Sequence, residues 1–166
     1  MQSKPTLETI LSHRSIRKFT EQPISEEIFQ ILIEAGKAAS SSNHLQCVTV
    51  IRVTDRQIRE TLKAVSGMQY VVDCAEFLVF CIDFNKHKQL VPESQLEWAE
   101  VSLIGAVDTG ILAQNVFLAA ESLGLGAGIL EHCVMILSGF LKPLTCRNIV
   151  FHWWVCVWGI RHKSRQ

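Results

Sequence analysis

Apolar residues at the start of the chain recur at helical spacing in two segments. Leu7, Ile10 and Leu11 fall on one face of a short helix, for which Thr6 is the predicted N-cap. A second amphipathic helix is predicted to begin after Ser25, because a serine hydroxyl accepts a hydrogen bond from a free amide of the first turn. The chain therefore opens with two helices.

Two continuous apolar runs further along the chain predict strands. Val48–Val53 is rich in β-branched residues, and Phe77–Asp83 has so little alternation that both of its faces should be buried. Between them, an amphipathic helix is predicted from Asp55 to Ser66, with Gly67 as its C-terminal stop. Strands and helices in this order are typical of an α+β or α/β domain with few strands.

The longest apolar segment, Gln95–Leu123, predicts one long helix. Four of its residues are small, which predicts that another helix can approach closely: Gly105, Ala106, Gly110 and Ala113. Val101–Ala120 is apolar enough to raise the question of a membrane span, but Asp108, Gln114 and Asn115 interrupt it. We therefore predict a buried helix of a soluble domain.

Composition narrows the class of protein. The chain has 166 residues, of which 48% are hydrophobic and 19% charged, so it predicts a folded domain and excludes a disordered chain. Its zero net charge argues against a nucleic-acid binder. The charge is uneven, however: residues 1–127 hold 15 acids and 11 bases, whereas residues 128–166 hold one acid and five bases. We therefore divide the chain into a core, 1–127, and a tail, 128–166.

The cysteines and the N-terminus predict a cytoplasmic location. The first residues, "MQSKPTLETI", lack the apolar run of a signal peptide. The six cysteines include no CxxC pair and are expected to be reduced thiols.

Two polar clusters are candidates for a binding site. His13, Arg14, Ser15 and Arg17 lie within "HRSIRKF", and forked guanidinium donors beside a hydroxyl suit a phosphate. A solvated basic turn is the alternative interpretation of this segment. The second cluster, Ser40–Asn43, is by itself typical of a loop.

The order of several motifs resembles the flavin-dependent nitroreductase family, closest to its oxygen-insensitive NADPH nitroreductases and NADPH–flavin reductases. The motifs are "HRSIRKFTEQPIS", "ASSSNHLQC", "SGMQY", "AEFLVFCIDFNKH" and "AESLGLG", and the resemblance spans residues 10–127. It implies the α+β nitroreductase fold, a three-layer α/β/α arrangement with a long central helix, whose C-terminal part is missing or altered here. It also implies FMN as the cofactor and a homodimer that holds flavin at the subunit interface.

The resemblance also implies site residues. By position, His13, Arg14 and Ser15 would hold the FMN phosphate, and Arg17 would stabilise negative charge at the flavin N1/O2 edge. The remaining implied contacts are Ser40, Ser41, Ser42 and Gln69 on the flavin, with Asn43 and His44 at the acceptor. His44 departs from the family's pattern. No catalytic side chain and no metal is implied.

The implied reaction is a ping-pong transfer of two electrons. NADPH, or NADH, reduces the flavin by hydride transfer, and a nitroaromatic, a quinone or free flavin then takes the electrons. The alternative is a truncated, catalytically impaired remnant that binds FMN weakly or not at all.

The resemblance stops after Ala127. If the codons of "HWWVCVWG" are read two bases out of frame, they encode Leu-Val-Gly, then three residues that codon degeneracy leaves partly undefined, and then Gly. This pattern matches the family's Gly-rich strand. The same shift from Gly128, with suitable codons, restores its Tyr-Ile-Gly loop and Arg-Asn. We therefore interpret residues 128–166 as an out-of-frame tail. A core strand, a membrane anchor and a metal site of His132, Cys133, Cys146, His152 and Cys156 are the alternatives.

Overall fold

The computed structural model describes residues 3–20, 22–96, 98–130, 156–159 and 161–162. Its helices are α1 (Thr6–Leu11), α2 (Glu26–Lys37), α3 (Arg56–Ser66), α4 (Tyr70–Asp73), α5 (Asn85–Leu90) and α6 (Ala99–Ser122), with a 3-10 turn at Ser42–His44. Its strands are β1 (Val48–Arg52), β2 (Phe77–Ile82), β3 (Leu125–Gly126), β4 (Ile129–Leu130), β5 (Cys156–Gly159) and β6 (Arg161–His162).

The helix boundaries follow local chemistry. The Ser25 hydroxyl accepts from the Ile28 amide and caps α2, as predicted. Helix α3 begins at Arg56, one residue later than predicted, because Asp55 is its N-cap and accepts from the Gln57 and Ile58 amides. It ends at Gly67 with φ 70°, as predicted. The prediction for Thr6 is wrong: Thr6 is the first residue of α1, and the preceding Pro5 supplies no side-chain cap. Proline suits that boundary because its φ is already close to the helical value.

The described strands form a four-stranded sheet in the order β1-β2-β5-β4 and a two-stranded sheet of β3 and β6, with antiparallel pairing throughout. All six residues of β2 are buried, so the prediction for this strand is confirmed. Strand β5 lies within the tail and pairs with β2 from Phe77↔Gly159 to Phe80↔Cys156. Most of the tail, including His132, Cys133, Cys146 and His152, lies outside the described residues.

Two apolar cores cover the two faces of β2. Leu78 and Phe80 pack with α2 and α6, whereas Phe77, Val79 and Cys81 pack with α3 and α4. Each large side chain that is fully buried stabilises the fold by about 1.5–3 kcal/mol. The arrangement is the predicted three-layer α/β/α fold with a long helix.

Helix α6 begins at Ala99, four residues later than predicted. In the part of the chain that the structure describes, it is the one helix long and apolar enough to cross a membrane by length and composition. Asp108 and Thr109 are nevertheless buried in it and hydrogen-bonded, and the helix packs on α2 and β2. These contacts make α6 the central helix of the domain.

Helix α2 packs closely on α6, as the small residues predicted, and Ala113 is buried with Phe29 and Leu32 of α2. The two glycines of α6 are not the points of this contact. A Cβ on Gly105 would lie 2.5 Å from Ile82 Cγ2, so this glycine admits the end of β2 and not a helix. A Cβ on Gly110 would meet no atom within 4 Å. The close contact between helices depends on Gly36 of α2, whose Cβ position lies 2.8 Å from Val116 of α6.

Candidate functional site

A cavity of about 640 Å³ lies between the segment that follows α1 and the C-terminal half of α6. Its polar wall carries His13, Ser15 and Arg17, three of the predicted phosphate and flavin residues. Its apolar wall is formed by Ile10, Met68, Tyr70, Phe117, Leu118 and Ile129. A cavity of this size with cationic and apolar walls suits an anionic, aromatic ligand.

Backbone contacts hold the basic segment, residues 13–19, against the chain that follows β3. The Ile16 amide donates to the Ala127 carbonyl at 3.0 Å. A Cβ on Gly128 would lie 2.5 Å from the Ile16 carbonyl oxygen, so this close approach requires glycine. The segment is therefore positioned by contacts far away in sequence, which places the side chains of Ser15 and Arg17 on the cavity wall.

His13 is oriented by α6. Its Nδ1 donates to Glu121 Oε1 at 3.0 Å, and its ring packs against Phe117 at 4.9 Å between centroids. The other oxygen of Glu121 is buried and has no hydrogen-bond partner among the described residues. Arg14 donates to the His13 carbonyl at 2.7 Å and is exposed beside the cavity. Glu121 and Phe117 of α6 therefore fix the position of His13 on the cavity wall.

Gln69 lies next to the first cavity. It precedes α4 and donates to Asp73 at 2.8 Å, while its neighbours Met68 and Tyr70 line the cavity. The bond to Asp73 uses one of the two amide N–H groups, so the second N–H and the carbonyl oxygen are left for the predicted hydrogen bond to the flavin ring.

The predicted serine cluster lies in a second cavity of about 620 Å³. Ser40, Ser41 and His44 line it. The Ser42 amide donates to both carboxylate oxygens of Asp108 at 3.1 Å. Asn43 occupies the left-handed region with φ 48°. In the described chain, the residues predicted for one flavin site are thus divided between two cavities.

The distance between the cavities follows from their contacts on α6. Ser41 contacts Asp108, whereas His13 contacts Phe117, nine residues further along the helix. At 1.5 Å per residue, these positions are roughly 14 Å apart. One chain alone therefore does not join the two sets of residues in a single cavity.

Most of the chain is similar in sequence to known proteins. A profile described as the Nitroreductase family matches residues 10–135. The chain belongs to the Nitroreductase family. It is 57% identical over 122 residues to an NADPH-flavin oxidoreductase of Vibrio harveyi, across 73% of this chain and 51% of the relative. It is 50% identical over 123 residues to an oxygen-insensitive NADPH nitroreductase of Salmonella typhimurium, across 74% of this chain and 51% of the relative.

A solved structure confirms the family fold. The Vibrio harveyi NADPH:FMN oxidoreductase complexed with NAD⁺ matches with a TM-score of 0.89 and 44% identity, over 96% of this chain and 69% of that one. The subgroup that the motifs indicated is thereby confirmed. The chain spans about half the length of the two curated relatives.

Sequence analysis did not predict several residues that line the two cavities. Met68, Tyr70 and Phe117 form the apolar wall of the first cavity, and in the sequence they look like ordinary core residues. In the sequence, Asp108 stands out only because it interrupts an apolar helix. That interruption was the available signal, since a charge in a buried helix requires a partner.

Proposed function

We propose that this protein is an NAD(P)H-dependent FMN oxidoreductase that reduces nitroaromatics, quinones or free flavin. The observation that carries the proposal is the first cavity, where His13, Ser15 and Arg17 face an apolar wall. The relatives' names support it, because they specify NADPH, flavin and a nitroreductase activity. Buried thiols at Cys47 and Cys74 support a reducing, cytoplasmic environment.

The cavity residues fit FMN. His13 and Ser15, which line the cavity, and the adjacent Arg14 would hold the phosphate by hydrogen bonds, and the apolar wall would exclude water from the ring. FMN supplies a carrier that accepts and releases two electrons. The Arg17 cation favours negative charge, so it would stabilise the reduced state. Among the described residues, no three His, Cys, Asp or Glu side chains cluster as metal ligands would.

We also propose that the working unit is a homodimer. Leu103, Val107 and Ile111 are spaced four residues apart on α6 and are 66%, 53% and 40% exposed. Such an apolar stripe is typical of a surface that a partner covers. A second copy on this face would bring Ser40–Ser42 of one protomer towards the first cavity of its partner, which would join the two halves of the site.

Purification of the chain tests the proposal. We expect a dimer by light scattering, a visible flavin band, and oxidation of NADPH that accelerates when a nitroaromatic or a quinone is added. Arg17→Ala should raise the Kd for FMN roughly tenfold, since a charge-assisted hydrogen bond contributes about 1.5–3 kcal/mol. Lys63→Ala is the matched control, because Lys63 is a cation on α3 that lines neither cavity. A colourless monomer without NADPH oxidation would instead support the impaired remnant.

A further inference from the structure

Asp108 is a buried carboxylate in the middle of an apolar helix. It is 4% exposed, and its oxygens accept from the Ser41 hydroxyl at 2.9 Å and from the Ser42 amide at 3.1 Å. A buried carboxylate is costly unless hydrogen bonds compensate it. Both donors belong to one loop, so Asp108 and this loop stabilise each other.

The loop, Ser41–Gln46, has a strained backbone. Asn43, His44 and Gln46 have φ values of 48°, 56° and 51°, in the left-handed region that side chains other than glycine rarely adopt. Each such residue costs on the order of 1 kcal/mol and persists only where the surroundings impose it. The Gln46 amide donates to Ser41 Oγ at 2.8 Å, and that hydroxyl in turn donates to Asp108. This relay connects the strained end of the loop to α6.

Helix α5 holds the same loop from the other side. His87 Nε2 donates to the Leu45 carbonyl at 2.8 Å, and Lys86 Nζ donates to the Gln46 carbonyl. The His44 side chain lines the second cavity, and its Nε2 accepts from the side-chain Nε2 of Gln46 at 3.2 Å. Two helices thus impose a backbone conformation that the loop's own residues disfavour.

We infer that Asp108 is the positioning residue of the active site: it holds the Ser41–Gln46 loop in the strained conformation that presents Ser41 and His44 to flavin and acceptor. Asp108 acts through Ser41 and Ser42. The inference rests on the proposed function, because it assigns the loop to the flavin and acceptor site.

The first test compares Asp108→Asn with Thr109→Val. Asparagine keeps the shape and still accepts from the Ser42 amide, but its NH₂ group cannot accept from the Ser41 hydroxyl. Thr109 is equally buried on the same helix, yet its hydroxyl donates only to the Gly105 carbonyl at 2.7 Å. Both variants should lower Tm. Only Asp108→Asn should raise the Kd for FMN and lower kcat/KM for the acceptor, each by roughly tenfold.

The second test is rescue by glycine. Gln46→Gly removes the backbone strain at φ 51°, because glycine adopts this region without a steric clash. In the Asp108→Asn background it should restore most of the lost kcat/KM, whereas in the Thr109→Val background it should restore nothing. The single Gln46→Gly variant controls for the lost contact to His44. Equal kinetic losses in Asp108→Asn and Thr109→Val, or a failure of the rescue, would overturn the inference.

Amide hydrogen exchange separates this inference from the proposed function. In Asp108→Asn the amides of Ser42 and Gln46 should exchange at least tenfold faster than in the wild type, with or without flavin. In Thr109→Val they should be unchanged. If the wild type binds no flavin, the proposed function fails, and the exchange rates still test whether Asp108 positions the loop. Unchanged exchange in Asp108→Asn would contradict that role.

Discussion

Burial decides the chemistry of the cysteine side chains. Desolvation raises the pKa of Cys74 to about 12 and that of Cys47 to about 11, from an ordinary value of 9.0. In Cys74 the nearby Arg59 guanidinium opposes this effect but does not cancel it. Both side chains are therefore neutral thiols at physiological pH.

These thiols should resist modification in the folded protein. In a variant with Cys133, Cys146 and Cys156 replaced by serine, a thiol reagent at neutral pH should label Cys47, Cys74 and Cys81 only after unfolding. Rapid labelling of the native protein would contradict the prediction.

The same burial makes stability depend on pH. Because burial raises the pKa of Cys47 and Cys74, the stability that these two thiols contribute is complete below pH 9 and is lost as pH rises towards 12. Urea titrations across that range measure the loss.

Electrostatics also links elements of the fold. Arg52 of β1 pairs with Glu76 at 2.6 Å and with Glu26 of α2 at 2.7 Å, and its guanidinium lies 3.8 Å from the Phe29 ring centroid. Hydrogen bonding by Arg52 lowers the pKa of Glu26. These contacts hold α2 against the sheet, and the chain runs from α2 into the Ser41–Gln46 loop.

Helix α6 offers a matched test of packing at the scale of one element. Gly105→Ala should lower the free energy of unfolding by about 1–3 kcal/mol, because the new methyl group would overlap Ile82 and crowd Phe84. Gly110→Ala should raise it by about 0.5–1 kcal/mol, since alanine favours helix and meets no neighbour. Urea unfolding measures both. Equal effects of the two variants would show that Gly105 does not contact β2 as described.

At the scale of the whole molecule, the open question is the tail. The described strand β5 extends the sheet beside β2, and the family profile matches as far as residue 135. The relatives are nearly twice as long as the matched segment. We propose that residues 128–166 are translated out of frame and that the family's remaining half is encoded in another frame.

The nucleotide sequence across codons 127 and 128 tests this proposal. We expect the frame displaced by two bases to stay open and to encode the Tyr-Ile-Gly loop followed by the Gly-rich strand. A protein expressed in the corrected frame should bind FMN more tightly than the present chain, because the added half would complete the site. The present chain is the control. Stop codons closing the alternative frames soon after this junction would refute the proposal.

The sequence by itself determined the local structure and the family. The Ser25 cap, the Gly67 stop and the buried run of β2 follow from short-range preferences, which act within a few residues. The ordered motifs identified the Nitroreductase family, because several separated matches rarely coincide. What only the tertiary structure decided depends on long-range contacts: the partner of Asp108, the approach of β2 to Gly105, and the division of the site residues between two cavities. A periodic pattern shows that a face is buried, but it does not show what covers that face.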